Sequence, residues 1–199
     1  MVFDNWNIYE IIPDHVFKDK DILPPNLQVL HLPGHTPGHC GFKFENVIFS
    51  ADIDLNKRGP VVSSVYSNIF SYKQSVNKLI NIIKRDNIKI LLPGHWNAIF
   101  SDIIKKLKIY YNEIIKKEKM ILNILSKNVR MTIEDLTNET IKDFIDELKK
   151  FLTEDTKDSL LIARAAEIIT NINYLNELLR LNKVKKVIIN DKEYWEPMI

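Results

Sequence analysis

Histidines cluster in one short stretch of the chain, where His31, His35 and His39 lie in the string HLPGHTPGHCGF. Downstream, Asp52 follows the run VIFSA, and His95 ends the turn PGH. Each candidate comes just after a predicted strand, so the loops that carry them are expected to gather at one edge of a sheet. Neutral imidazoles and a carboxylate are the ligands that zinc or iron prefers. The pattern therefore predicts a metal site.

The elements that must position these residues are predicted to form a layered α/β arrangement. Glu45-Asn46 is typical of a hairpin turn between two strands, and apolar residues at helical spacing predict a helix before the PGH turn. The predicted strands cover residues 29–31, 40–44, 47–49 and 88–92, and the helix covers residues 72–85.

The second half of the chain is predicted to be mainly helical. An amphipathic helix covers residues 103–125, and only Glu118 interrupts its apolar face. Thr132 to Asp135 matches a capping box, a further helix carries apolar residues from Leu161 to Leu179, and Asn190-Asp191 separates two strands. This order matches a winged helix. The predicted domains are residues 1–100 (α/β), 101–126 (linking helix) and 127–199 (winged-helix-like).

GHTPGH followed by SxD and PGH, within roughly residues 27–98, resembles the metallo-β-lactamase superfamily. That family includes glyoxalase II-like hydrolases and RNA-processing nucleases. The resemblance implies an αββα fold and hydrolysis of an ester, thioester or phosphodiester by a metal-bound hydroxide. It also implies that His35 binds one metal, that His95 binds a second and that Asp52 bridges them. Zinc is the expected metal, with iron or manganese as alternatives.

One family motif, HxHxDH, has no counterpart before His35, where the other histidines are His15 and His31. That motif supplies two ligands to each metal, and two protein ligands cannot close a zinc site. We therefore expect the C-terminal half of the fold, with the N-terminal half missing, weak or absent metal binding and no normal hydrolysis by this chain alone. Two metals are expected only in an intact form.

Two other interpretations remain open at this point. The chain could be a metal-free relative that serves as a binding or interaction module, or another polypeptide could complete the site. In each case an incomplete sandwich should expose a sheet edge and an apolar face. A dimer or swapped assembly is therefore expected.

Several further residues receive predictions. His39 either lines the site or hydrogen-bonds a metal ligand, with a structural role in its loop as the alternative. His31 is expected to cap its strand and to point away from the metals. Asp54 is expected to be a solvated loop residue. The alternative is a carboxylate that supports a metal ligand without binding the metal itself. His15 is expected at the surface, and Cys40 is expected to be buried. Lys57 and Arg58 are candidates for contact with an anionic substrate, whereas Tyr110 and Tyr111 are expected to pack in the core. Trp96 is expected to crowd the rim of the site.

Composition excludes several functions. The chain has 45% hydrophobic residues and a net charge of +2, and no run is long enough to span a membrane. The N-terminus does not resemble a signal peptide, so a cytoplasmic location is expected.

Residues 112–199 hold 15 basic and 16 acidic residues, which disfavours DNA binding. The layout of this region resembles a subgroup that includes an endoribonuclease, so RNA stays a candidate substrate beside a small ester or thioester.

Overall fold

The computed structural model describes residues 13–56, 58–142, 145 and 157–198. One sheet has the strand order β1-β2-β3-β4-β5, and its strands are β1 (Ile22–Leu23), β2 (Leu27–His31), β3 (Cys40–Phe44), β4 (Val47–Ala51) and β5 (Ile90–Pro93). The described helices are α1 (Ile69–Arg85), α2 (Ile103–Asn128), α3 (Ile133–Thr140) and α4 (Lys157–Arg180). A separate ribbon pairs β6 (Val184–Ile189) with β7 (Lys192–Pro197).

The sheet is mixed, as an α/β arrangement allows. Strands β1 to β4 pair antiparallel, and β4 pairs parallel with β5. The predicted turn at Glu45-Asn46 joins β3 to β4. Because a parallel pair needs a crossover connection, α1 lies between β4 and β5 in the chain and packs against Leu30 and Ile48 of the sheet.

Helix α1 begins three residues before its predicted start. The side chain of Asn68 accepts a hydrogen bond from the Ser71 amide at 2.8 Å. Because this cap satisfies a backbone donor of the first turn, the helix begins at Ile69 rather than at Tyr72. The apolar face predicted for α1 is buried, including Val76, Leu79 and Ile83.

The apolar face predicted for α2 is buried in the structure, which confirms the prediction. Its buried residues are Ile103, Leu107, Tyr110, Ile114, Glu118, Ile121 and Leu125. One continuous apolar cluster runs from Leu30 in β2 through α1 and α2 to Trp195 in β7. The division into an α/β domain, a linking helix and a winged-helix-like domain stays a prediction.

The C-terminal elements follow the predicted order, although α4 packs differently from the expected pattern. The capping box is confirmed, since Thr132 and Asp135 cap the start of α3 reciprocally. In α4, Leu175 is buried but Leu161 is 67% exposed, because the helix contacts the core through its second half, where Tyr174 and Leu178 are also buried.

The sheet face opposite α1 is apolar and partly exposed. Phe49 is opposite Phe42 in the register of β3 and β4, and Phe17 contacts Phe42 edge to face. Phe17 and Phe49 are each 42% exposed. The predicted dimer or swapped assembly stays a prediction.

None of the helices in the described ranges has an apolar stretch long enough to cross a membrane.

Candidate functional site

Three loops meet at one edge of the sheet and carry the candidate ligands. Strands β2 and β4 both run antiparallel to β3, and β5 runs parallel to β4. The chain therefore leaves β2, β4 and β5 at the same edge. There the Gly94 amide donates to the Ala51 carbonyl at 2.9 Å, so the loops of Asp52 and His95 are joined directly.

Asp52 is the centre of this cluster. Its Oδ1 lies 3.0 Å from His95 Nε2, and its Oδ2 lies 3.9 Å from His35 Nε2 and 3.8 Å from His39 Nε2. The Asp52 side chain is 35% exposed and that of His95 is 68% exposed. The structure thus brings His35, Asp52 and His95 together within reach of solvent.

His35 is oriented by its own loop contacts. Its Nδ1 donates to the Val61 carbonyl at 2.9 Å, and its backbone carbonyl accepts from Ser67 Oγ at 2.8 Å. Because a carbonyl can only accept, this bond fixes the proton on Nδ1 in the neutral ring and leaves the Nε2 lone pair free to face Asp52. Metal-binding histidines are commonly oriented by such a bond on the far nitrogen.

His39 has both ring nitrogens engaged within the protein. Nδ1 donates to the Leu32 carbonyl at 2.7 Å, and Nε2 accepts from the Asp52 amide at 3.0 Å. Burial lowers the pKa of His39 below its usual value, against the opposing effects of the Leu32 hydrogen bond and of the Asp52 charge. The neutral ring therefore holds the Asp52 backbone. His39 thus hydrogen-bonds the backbone of a predicted metal ligand and also fastens its own loop through Leu32, so both roles considered from the sequence stay open.

Asp54 is buried, which corrects the expectation of a solvated loop residue. It is 6% exposed and accepts hydrogen bonds from the Asn56 amide at 3.1 Å and from Trp96 Nε1 at 3.3 Å. The Tyr110 hydroxyl lies 3.4 Å from its Oδ1. A carboxylate in an apolar setting needs such partners. Trp96 itself is 59% exposed beside His95.

Tyr110 does more than pack. Its hydroxyl lies 2.7 Å from that of Tyr72, and the Tyr72 hydroxyl donates to the Asp52 carbonyl at 2.6 Å. Burial raises the pKa of both phenols above the usual value, so both stay protonated donors. Helical spacing predicted burial of Tyr110, but nothing in the sequence indicated a partner in a loop.

The other candidates lie elsewhere. His31 Nε2 donates to the Pro37 carbonyl at 2.8 Å, so its ring fastens the loop between β2 and β3. His15 is exposed, as predicted, and Arg58 lies in an exposed turn where its amide donates to Asn56 Oδ1. Cys40 is only half-buried, which corrects the expected burial. The prediction for Lys57 lies outside the described residues.

The cluster fits a metal in donor type, although not as a finished site. Two ligands each about 2.1 Å from zinc at a tetrahedral angle are about 3.4 Å apart. The separations from Asp52 to His95 and His35, 3.0 and 3.9 Å, lie on either side of that value. Within the described ranges, no group of three or more His, Cys, Asp or Glu side chains is arranged to hold a metal ion as it stands.

Comparisons with known sequences found curated relatives that match part of this chain. No family model matches the chain. The chain is 27% identical over 112 residues to the acyl-coenzyme A thioesterase MBLAC2 of Bos taurus, a match that covers 53% of this chain and 39% of that protein. It is 32% identical over 88 residues to the β-lactamase-like protein 2 homolog of Drosophila melanogaster, over 44% of this chain and 27% of that protein. The chain thus spans well under half the length of these relatives.

Two solved structures share the fold. A metallo-β-lactamase family protein from Thermus thermophilus superposes with a TM-score of 0.68 at 18% identity, over 90% of this chain and 53% of that chain. A β-lactamase domain protein from Burkholderia ambifaria gives 0.65 at 12% identity, over 94% of this chain and 54% of that one. The chain is thus similar in sequence to these relatives, and it shares the fold of metallo-β-lactamase family proteins.

Proposed function

We propose that this chain carries part of the site of a metal-dependent hydrolase, with His35, Asp52 and His95 as its metal ligands. The observation that carries the proposal is the convergence of both histidines on one carboxylate from three separate strand ends. When bound, zinc, or iron or manganese in its place, lowers the pKa of water so that hydrolysis can proceed near neutral pH.

The division of work among the chain's own residues follows from their contacts. Asp52 faces both histidines and can serve either metal, whereas His35 and His95 approach it from different sides. Three donors shared between two metals are too few to close either site. We therefore propose that the described residues bind metal weakly, and that full hydrolysis needs donors from outside them.

A thioester is the substrate class that we propose. The curated relatives include acyl-coenzyme A thioesterases. In addition, Val61 and Trp96 beside the site are 49% and 59% exposed, so apolar surface is available for an acyl group. Water then splits the thioester into a carboxylic acid and a thiol.

Metal titration tests the site. The purified chain should bind Co²⁺ only at concentrations above the micromolar range and lose it on dialysis. Asp52→Ala should abolish the binding, whereas His15→Ala, at an exposed position remote from the cluster, should not change it. About two metal ions retained per chain after dialysis would overturn the claim of an incomplete site.

The alternative is a metal-free binding module. The direct hydrogen bond between His95 and Asp52 favours it, because this bond occupies groups that a metal would need. If the wild-type chain and Asp52→Ala take up equally little Co²⁺ at millimolar metal, the metal-free alternative replaces the hydrolase proposal.

The substrate proposal has its own assay. At saturating Co²⁺, release of thiol from an acyl-coenzyme A should be faster with the wild-type chain than with Asp52→Ala. Hydrolysis of a phosphodiester should not differ between the two proteins. The reverse preference would indicate a nucleic-acid substrate such as RNA.

A further inference from the structure

A buried tyrosine lies where the three ligand-bearing loops come together. Tyr72 of α1 is 1% exposed, and its hydroxyl donates to the Asp52 carbonyl at 2.6 Å. Its backbone lies directly against Gly34, where an added Cβ would be 2.4 Å from Tyr72 Cα. A single residue thus touches the loop of His35 and the loop of Asp52.

Helix α2 extends this contact to the third loop. The Tyr110 hydroxyl, which is also buried, lies 2.7 Å from that of Tyr72 and 3.4 Å from Asp54 Oδ1. Because each hydroxyl has one proton and Tyr72 gives its own to a carbonyl, Tyr110 shares its proton between the Tyr72 hydroxyl and Asp54 Oδ1. Asp54 in turn accepts from the indole of Trp96, the residue after His95.

We propose that Tyr72, Tyr110 and Asp54 form a positioning network that sets the three candidate ligands relative to one another. The network acts through the backbone at Asp52 and through Trp96, and none of its three members faces a metal. It rests on the proposed metal site, since positioning matters only if the three ligands bind together. It also assigns a role in the site to α2, a helix from outside the sheet.

Phenylalanine substitutions test the network because they remove a hydroxyl and keep the ring. Mutation of a residue that hydrogen-bonds a metal ligand commonly lowers metal affinity by about 10-fold to 100-fold. We expect Tyr72→Phe to weaken Co²⁺ binding about 10-fold and Tyr110→Phe to weaken it less, each with an altered Co²⁺ absorption spectrum. The matched control is Tyr174→Phe, a tyrosine of α4 that is 2% exposed and should bind within two-fold of the wild-type chain.

A second measurement does not depend on metal. In the metal-free chain, Tyr72→Phe should shift the backbone amide resonances of His35, Asp52 and His95, whereas Tyr174→Phe should leave them in place. Unchanged amide resonances in Tyr72→Phe would overturn the positioning network whether or not metal binds. A wild-type chain that takes up no Co²⁺ would instead refute the proposed function, even where the amide shifts appear.

Discussion

Gly34 shows how one residue can determine the position of a ligand loop. Its φ of +142° lies in a region that side chains rarely adopt. An added Cβ would lie 2.4 Å from the Cα and 2.6 Å from the amide nitrogen of Tyr72. Its carbonyl also accepts from the Asn68 amide at 2.8 Å. The loop before His35 can therefore approach α1 only with glycine at this position.

Gly34→Ala should lower the free energy of unfolding by about 3 kcal/mol, because backbone strain and overpacking add. Urea denaturation followed by fluorescence measures it. Gly38→Ala is the matched control, since a Cβ at Gly38 would meet no atom within 4 Å. It should change the free energy by less than about 0.5 kcal/mol. Equal stability of the two variants would contradict the argument.

The sequence predicted the grouping of His35, Asp52 and His95 but not the residues behind them. The grouping was predictable because each of these residues lies in a loop that follows a strand. Asp54 was expected to be solvated, since a loop aspartate usually is, and its burial depends on Trp96 and Tyr110. The Tyr110 contact joins positions 56 residues apart in the chain. Helical periodicity identifies a buried position, but it does not indicate the hydrogen-bond partner.

At the scale of elements, three helices meet through one partly buried cation. Lys73 of α1 lies 2.5 Å from Glu118 of α2 and 2.8 Å from Glu177 of α4. The Glu177 side chain is only 2% exposed and also accepts from Arg180 at 2.7 Å. Glu118 is the residue that interrupts the predicted apolar face of α2. A buried acid on such a face indicates a cationic partner on a neighbouring element.

The pKa of Glu177 determines the direction of the pH dependence. Burial opposes its ionisation, but the hydrogen bonds from Arg180 and Lys73 outweigh burial and lower the pKa below the usual 4.5. The folded state therefore binds fewer protons than the unfolded state in this range. The resulting stability is fully present above the unfolded pKa and is lost as pH falls through the folded value.

Glu177→Gln should lower the free energy of unfolding by about 3 kcal/mol at pH 7, because it leaves Lys73 with one partner. The difference from the wild-type chain should shrink as pH falls below about 4. Urea denaturation at pH 7 and at lower pH tests both statements. Glu139→Gln is the control, since its exposed pair with Lys142 should contribute less than about 0.5 kcal/mol. Wild-type stability of Glu177→Gln at pH 7 would refute this role.

At the scale of the whole molecule, the C-terminal helix reaches the candidate site. Asn173 of α4 donates to the Val62 carbonyl at 2.7 Å and to the Ser64 carbonyl at 2.9 Å. The same loop supplies the Val61 carbonyl and the Ser67 hydroxyl that hold His35. Local sequence patterns could not predict this connection, because Asn173 and Val62 are 111 positions apart.

The continuous core leads to a prediction that distinguishes one cooperative unit from separate domains. Leu175 of α4 is fully buried within the same apolar cluster as Leu30 and Ile48 of the sheet. Leu175→Ala should lower the free energy of unfolding by about 3 kcal/mol. If the cluster unfolds as one unit, the slowest-exchanging amides of β2 and β4 should lose as much protection as those of α4.

Native-state hydrogen exchange measures this loss of protection element by element. Leu161→Ala on the same helix is the control, since Leu161 is 67% exposed and its truncation should change the free energy of unfolding by less than about 0.5 kcal/mol. Unchanged protection in β2 and β4 of Leu175→Ala, with loss confined to α4, would support the separate domains predicted from the sequence. Equal loss in the sheet would mean that the C-terminal helices stabilise the strand ends that carry His35, Asp52 and His95.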